Sequence, residues 1–372
     1  MEIAFKIRHD LISTFNYIRL TMSLFPAEKG GGIFNPTVSE AIEATRVFIN
    51  SSNEKQLISG GPAILNALDP IYQSLLNTFP PKKDLGIISK SFHELLEQDK
   101  SFLSYGIPFS WLDEHIDTSK VLNPETPYHA RIGTGYHAGK FSLEEMYLMD
   151  DGFYFLVLAE NSTKLLIDLI PENRRRGKDG YPDPDFYNEA LYVKLNACSY
   201  ARNSIVNLFS FVECLVNSIG FDYYLRNKST LTDKEQELLQ GKKNGSFISL
   251  EFKLEKFHQI IRPDKKQVFS VTDTKQIKEP FLTFLDECKN QRDAAMHYSP
   301  NKKDIWLKPT AWTEKAKKYS VTTLEVARQF WEACYPNLEF PFYLRHLDYQ
   351  ACYDGAIKRY NDSEQTKKNN SR

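Results

Sequence analysis

The chain has 372 residues, 41% of them hydrophobic and 26% charged, with a formal net charge of −1. That length favours two domains, and the composition is that of a globular protein with a core, which excludes disordered and fibrous classes. No run of about 18 apolar residues stands out, so no membrane span is expected, and the charges in MEIAFKIRHD break what a secretory leader would keep apolar.

The stretches SEAIEATRVFI (39–49) and SKSFHELLEQ (89–98) carry apolar residues at helical spacing. AILNALDPIYQSLLNTF (63–79) does too, and Pro70 is expected to kink it or end its first segment. Glycines at 30–32 and 60–61 read as punctuation between helices. The period then shifts. GFYFLVLAE (152–160) and KLLIDLI (164–170) read as two buried strands joined by a short hairpin loop. The aperiodic PENRRRGKDGYPDPD (171–185) marks the expected domain boundary, and its Arg174, Arg175 and Arg176 are weak candidates for RNA phosphate contact.

Beyond it, YNEALYVKLNACSYARNSIVNLFSFVECLVNSIG (187–220) reads as a long helix, with Ile205, Leu208, Phe209, Val212, Leu215, Val216 and Ile219 on one stripe. Gly220 is placed to terminate it. A charged connector, TDKEQELLQGKKNG, leads to a helix around 249–261. Next comes 279–298, with Phe281, Leu285, Cys288, Arg292 and Ala295 along one side. A last long helix is expected to start at TTLEVARQFWEACYP, where Thr322 and Glu325 have capping-box spacing. The tail DSEQTKKNNSR reads as disordered.

The expected fold is therefore mainly α. Residues 1–180 form a mostly helical N-terminal sensor or regulatory domain of no recognisable family, with strands near 152–170. Residues 187–335 form a helical bundle, and 336–372 a C-terminal extension. Acids outnumber bases in the first half and the reverse holds in the second, a distribution found in proteins that bind polyanions through one part. Five cysteines, widely spaced and without a CxxC pair, fit core thiols in a reducing cytoplasm.

The chemistry concentrates in LDECKNQRDAAMHYSP (285–300), which places Asp293 directly after Arg292 and His297 five positions on. A bare Arg–His spacing match is expected about once by chance in such a chain; RIGTGYH, with Arg131 and His137, is such a decoy and reads as a turn. At 292, however, the arginine follows an apolar stripe, its guanidinium expected to face the bundle, and Pro300 should stop the helix near the histidine. The set RDAAMH resembles the Arg–polar–x3–His signature of HEPN-superfamily ribonucleases, and Glu213 resembles an acidic residue on their long early helix.

That resemblance, confined to 187–335, implies a metal-independent endoribonuclease. Arg292 would clamp the phosphate, His297 would move protons, and Asp293 would orient one of them, with Glu213 in support. It also implies RNA as partner, a homodimer with a composite site, no cofactor, a toxin or antiviral defence role, and an antitoxin or regulatory partner. A non-catalytic dimerisation or binding module is the competing expectation. No HExxH, GxxxxGK[ST] or GxSxG occurs, so metal, nucleotide-hydrolysis and serine-esterase chemistries have no motif behind them.

Overall fold

Glu2–Met22 form α1, with Ala4, Leu11, Phe15, Ile18 and Met22 buried at helical spacing. It packs with α2 (Pro36–Ser51), α3 (Glu54–Thr78) and α4 (Leu85–Gln98). Asn53 and Gln56 cap α3 reciprocally, and Asp84 caps α4 by accepting from the Gly86 and Ile87 amides. Helix α3 runs unbroken through Gly60, Gly61, Pro62 and Pro70, so neither the glycine pair nor Pro70 punctuates it as expected. A further short helix, α5 (Phe109–His115), lies beside a three-stranded antiparallel sheet of β1 (Ile107–Pro108), β2 (Arg131–Ile132) and β3 (Phe141–Ser142). Arg131 is thus a strand residue, paired with Asp99 at 2.7 Å.

The computed structural model describes residues 2–22, 24, 36–99, 101, 105–119, 126–133, 141–169, 184–243, 245–273, 275–296 and 307–370. Residues 30–32, the segment 171–183, His137 and 297–300 lie outside them. Contacts divide the chain into two compact units, Met1–Leu143 and Glu144–Arg372. The division therefore falls ahead of the expected 171–185 boundary, because the segment read as two strands is one helix of the second unit.

That helix is α6 (Glu144–Leu169). Met149, Gly152, Phe153, Leu156, Val157 and Thr163 recur at helical steps on its buried side. Apolar residues on its other faces, such as the exposed Leu165 and Ile167, hid that period in the sequence. A short run apolar all round does not distinguish strand from helix. Helix α7 (Pro184–Asn227) follows, and the two cross closely at Gly152. A Cβ there would come 2.6 Å from Leu208 Cγ, and Ser204 Oγ donates to the Gly152 carbonyl at 2.8 Å.

An 18-residue window within Tyr187–Asn227 has a mean hydropathy of 1.5, enough by length and composition to cross a membrane. This corrects the expectation that no segment qualifies. Its apolar stripe is nevertheless occupied by protein, since Ile205, Leu208, Phe209, Val212, Leu215 and Val216 lie in the core of the second unit.

Gly220 does not end α7, which continues to Asn227. It is the point where Phe257 of α9 (Leu250–Ile261) approaches, and an added Cβ would lie 2.4 Å from Phe257 Cε2. The charged connector holds α8 (Asp233–Leu239), opened by a Thr232–Glu235 capping box, and a hairpin of β4 (Lys242–Lys243) and β5 (Ser246–Phe247).

A π-helical segment, Thr283–Cys288, runs directly into α10 (Lys289–Met296). Helix α11 (Pro309–Cys334) starts thirteen residues earlier than expected, with Pro309 in its first turn. Thr322 is interior to it and bonds back to the Lys318 carbonyl, so it is no cap. A short 3₁₀ turn (Phe342–Leu347) precedes α12 (Tyr349–Asn370), which replaces the disordered tail that was expected. Helix α12 is tied to α6 by Arg359–Asp151 at 2.7 Å and by a bond from Tyr353 to Glu160.

Candidate functional site

Arg292 lies in the last turns of α10 and reaches α7. Its guanidinium carbon sits 4.2 Å from the centroid of Phe209, and Phe209 in turn stacks on Phe284 of the π segment at 4.9 Å. The π turn sets this geometry. Its wider turn advances the helix phase, so the buried side after it carries Cys288, Gln291 and Ala294. The expected side of Cys288, Arg292 and Ala295 is rotated by about one residue. Arg292 consequently emerges at the edge of the core, with its side chain 26% exposed.

Asp293 is the carboxylate beside it, with Oδ1 3.2 Å from Arg292 Nε. The angle does not make this a hydrogen bond, and Nε is enclosed without an acceptor. Among the described residues no acceptor takes a hydrogen bond from Arg292. A half-buried guanidinium in that condition keeps its donor fork available for an incoming oxyanion. Glu287, another conceivable partner, is bonded to Lys318 at 2.6 Å.

Glu213 serves a different neighbour. It faces Lys253 of α9, whose ammonium donates to Asn217 at 2.8 Å. Burial pushes the Lys253 pKa down, and the Glu213 charge works against that. No ion pair joins Glu213 to Arg292 among the described residues, so the support expected from Glu213 is electrostatic balance for a buried lysine. Cys288 lies deeper, and burial raises its thiol to about 12 despite the nearby Arg292 charge. It is an inert core thiol. Arg174, Arg175, Arg176 and His297 fall outside the described residues. Met296 is the last described residue of α10.

One residue of the site escaped the sequence reading. Arg202 lies seven residues before Phe209 on the same side of α7, about 10 Å along the axis. Its guanidinium stands over the Trp312 ring at 5.6 Å, near the start of α11, and among the described residues it too has no hydrogen-bond acceptor. The signal was present in YARNSIVNLF, as an arginine two turns from a stripe aromatic. Two aromatic-backed guanidinia therefore flank the ends of α10 and α11. Such a pair can bind phosphate oxygens through planar forks while keeping water from one face of each ring. Among the described residues no group of three His, Cys, Asp or Glu is arranged to hold a metal ion.

No protein-family model, no curated protein and no solved structure matches this chain.

Proposed function

We propose that this protein is a metal-independent endoribonuclease of HEPN type, with Arg292 as phosphate clamp and His297 as the proton-transfer group. The observation that carries the reading is the Arg292 guanidinium, which gives no hydrogen bond among the described residues and is held on the Phe209 face, five positions before His297 in the sequence. The 2′-hydroxyl of the substrate attacks phosphorus, and negative charge gathers on the non-bridging oxygens. An always-charged planar fork stabilises that charge, and an imidazole with an ordinary pKa of about 6.5 exchanges the protons. One histidine cannot readily serve both ends of the reaction. A two-fold dimer that brings two copies of Arg292 and His297 to one cleft supplies the second. Asp293 beside Arg292 fits an orienting role. In this reading the protein works in the cytoplasm as a toxin or defence effector, restrained by an antitoxin or regulatory partner.

The test is cleavage of labelled RNA in excess EDTA by the wild type, Arg292→Ala and His297→Ala. The reading requires cyclic-phosphate ends, persistence in the chelator, and losses of about 10²–10⁴-fold in each variant. Intact RNA with wild-type protein at micromolar concentration would overturn it.

A second reading, a non-catalytic dimerisation module, is favoured by the first turns of α7. Tyr187, Leu191, Tyr192 and Leu195 are exposed there, an apolar set of the kind found at association surfaces. Sedimentation that finds a dimer broken by Leu191→Glu, without any RNA cleavage, would select it.

A further inference from the structure

A cleft of about 660 Å³ opens in the first unit among α1, α2 and α4. Its rim carries His9, Arg19, Arg46, Lys90 and His93, and no aspartate or glutamate lines it. The acids nearest these bases lie outside the lining. Asp10 stands 3.6 Å from His9, Glu43 holds Arg46 within α2, Glu94 stands 3.9 Å from Lys90, and Glu97 is 3.2 Å from His93. Arg19 has no ion-pair or hydrogen-bond partner among the described residues, and 3.9 Å is too long for a hydrogen bond to Lys90. Arg19 is thus free to meet an anion, and Lys90, 80% exposed and held only by its long ion pair to Glu94, can turn toward one.

The deeper wall is different in character. Ile12, Phe15 and Ile49 supply apolar surface. Asn16 Nδ2 donates to Ser89 Oγ at 2.8 Å, which leaves the Ser89 hydroxyl hydrogen able to donate. A pocket of a few hundred Å³ with an apolar wall, few polar anchors and a rim of one charge sign suits a ligand with an anionic end and a flat apolar body.

From this we infer that the first unit binds a nucleoside polyphosphate, its phosphates against Arg19 and Lys90 and its nucleoside against Ile12, Phe15 and Ile49. The inference is independent of the ribonuclease reading, because binding can be measured without RNA. It also gives the first unit a task of its own, the sensing of a small phosphorylated ligand.

The experiment is calorimetric titration of the full chain with ATP, with tripolyphosphate and with adenosine, at low and at moderate salt. ATP should bind tightest, and more weakly as salt rises. Tripolyphosphate should bind less tightly and adenosine least. Arg19→Ala and Lys90→Ala should each weaken ATP binding about tenfold and leave the melting temperature unchanged, because both side chains are exposed. Ile12→Asp, at the wall, should abolish it. No heat with ATP at millimolar concentration, or binding that survives in the Arg19→Ala/Lys90→Ala double variant, overturns the assignment. Tripolyphosphate binding as tightly as ATP overturns its nucleoside half.

Discussion

Arg292 and Phe209, on different helices and 83 positions apart, meet with the guanidinium carbon 4.2 Å from the ring centroid. The contact fixes where the cationic fork points without using any of its hydrogen-bond donors. The Asp293 carboxylate stands 3.2 Å from Nε without a hydrogen bond, so a phosphate would find the donors unused but would share the cation with that acid.

Phe209→Leu keeps a large apolar side chain and removes the ring under Arg292 and the stack on Phe284. Unfolding in urea should show a loss of about 1–2 kcal/mol. RNA cleavage at saturating protein stability, well below the melting temperature, should fall by about tenfold as the fork loses its platform. Cleavage unchanged beside a normal stability loss would detach the ring from the site.

At Gly220 the Phe257 ring of α9 lies close against the backbone of α7. In Gly220→Ala the new methyl would lie 2.4 Å from Phe257 Cε2 and 3.0 Å from the Leu239 carbonyl oxygen. Overpacking of this kind costs about 1–3 kcal/mol. Combining it with Phe257→Leu should recover part of the loss, a coupling that a double-mutant cycle reads directly.

His258 is fully buried on α9, with Nδ1 2.9 Å from the Leu254 carbonyl and Nε2 accepting from the Val268 amide at 3.1 Å. These bonds define the neutral tautomer with hydrogen on Nδ1. Burial is the main force lowering its pKa below 6.5. The Leu254 bond and the Glu255 charge oppose the shift, while Arg262 and Lys256 add to it. The unfolded chain therefore binds the proton more tightly, so this contribution to stability is present above about pH 6.5 and is lost as pH falls below it. Denaturation midpoints measured from pH 7.5 to 5.5 should decline in the wild type, and more shallowly in His258→Gln.

Glu255 ties the 270–272 segment to α9 by accepting, on Oε2, from Ser270 Oγ, the Val271 and Thr272 amides and Thr272 Oγ1, at 2.6–3.2 Å. Burial raises its pKa, but these bonds and Lys256 outweigh it and hold the carboxyl at about 2. Stability from a depressed carboxylate is complete above its ordinary 4.5 and fades as pH falls toward about 2. Glu255→Gln should cost about 1–3 kcal/mol at pH 7. The gap between the two proteins should close in acid, as followed by circular dichroism from pH 7 to 2.

Much of the helical plan was readable along the chain. The stripe from Ile205 to Ile219 is buried as its spacing demanded, and Leu324, Ala327, Phe330, Trp331 and Cys334 form the inner face of α11. The failures share a cause. Residues 152–169, the prolines of α3, Gly220 and the polar tail were judged by local preference. Packing between helices reversed the readings at 152–169 and at Gly220, whereas Pro62, Pro70 and most of 361–369 are helical while exposed. Helix α6 is apolar all round at its centre, so no periodic signal separated helix from strand.

Sequence alone determined the mainly α class, the identity of the buried stripes and the candidate pair of Arg292 and Asp293, because side-chain type and helical period are local properties. Only the tertiary structure decided that Arg292 rests on Phe209, that Glu213 balances Lys253 and not Arg292, and that Arg202 stands over Trp312. It also gathered five bases from three helices around one cleft in the first unit. Those relations depend on helix crossings and on the phase shift of one π turn, and a pattern along the chain carries neither.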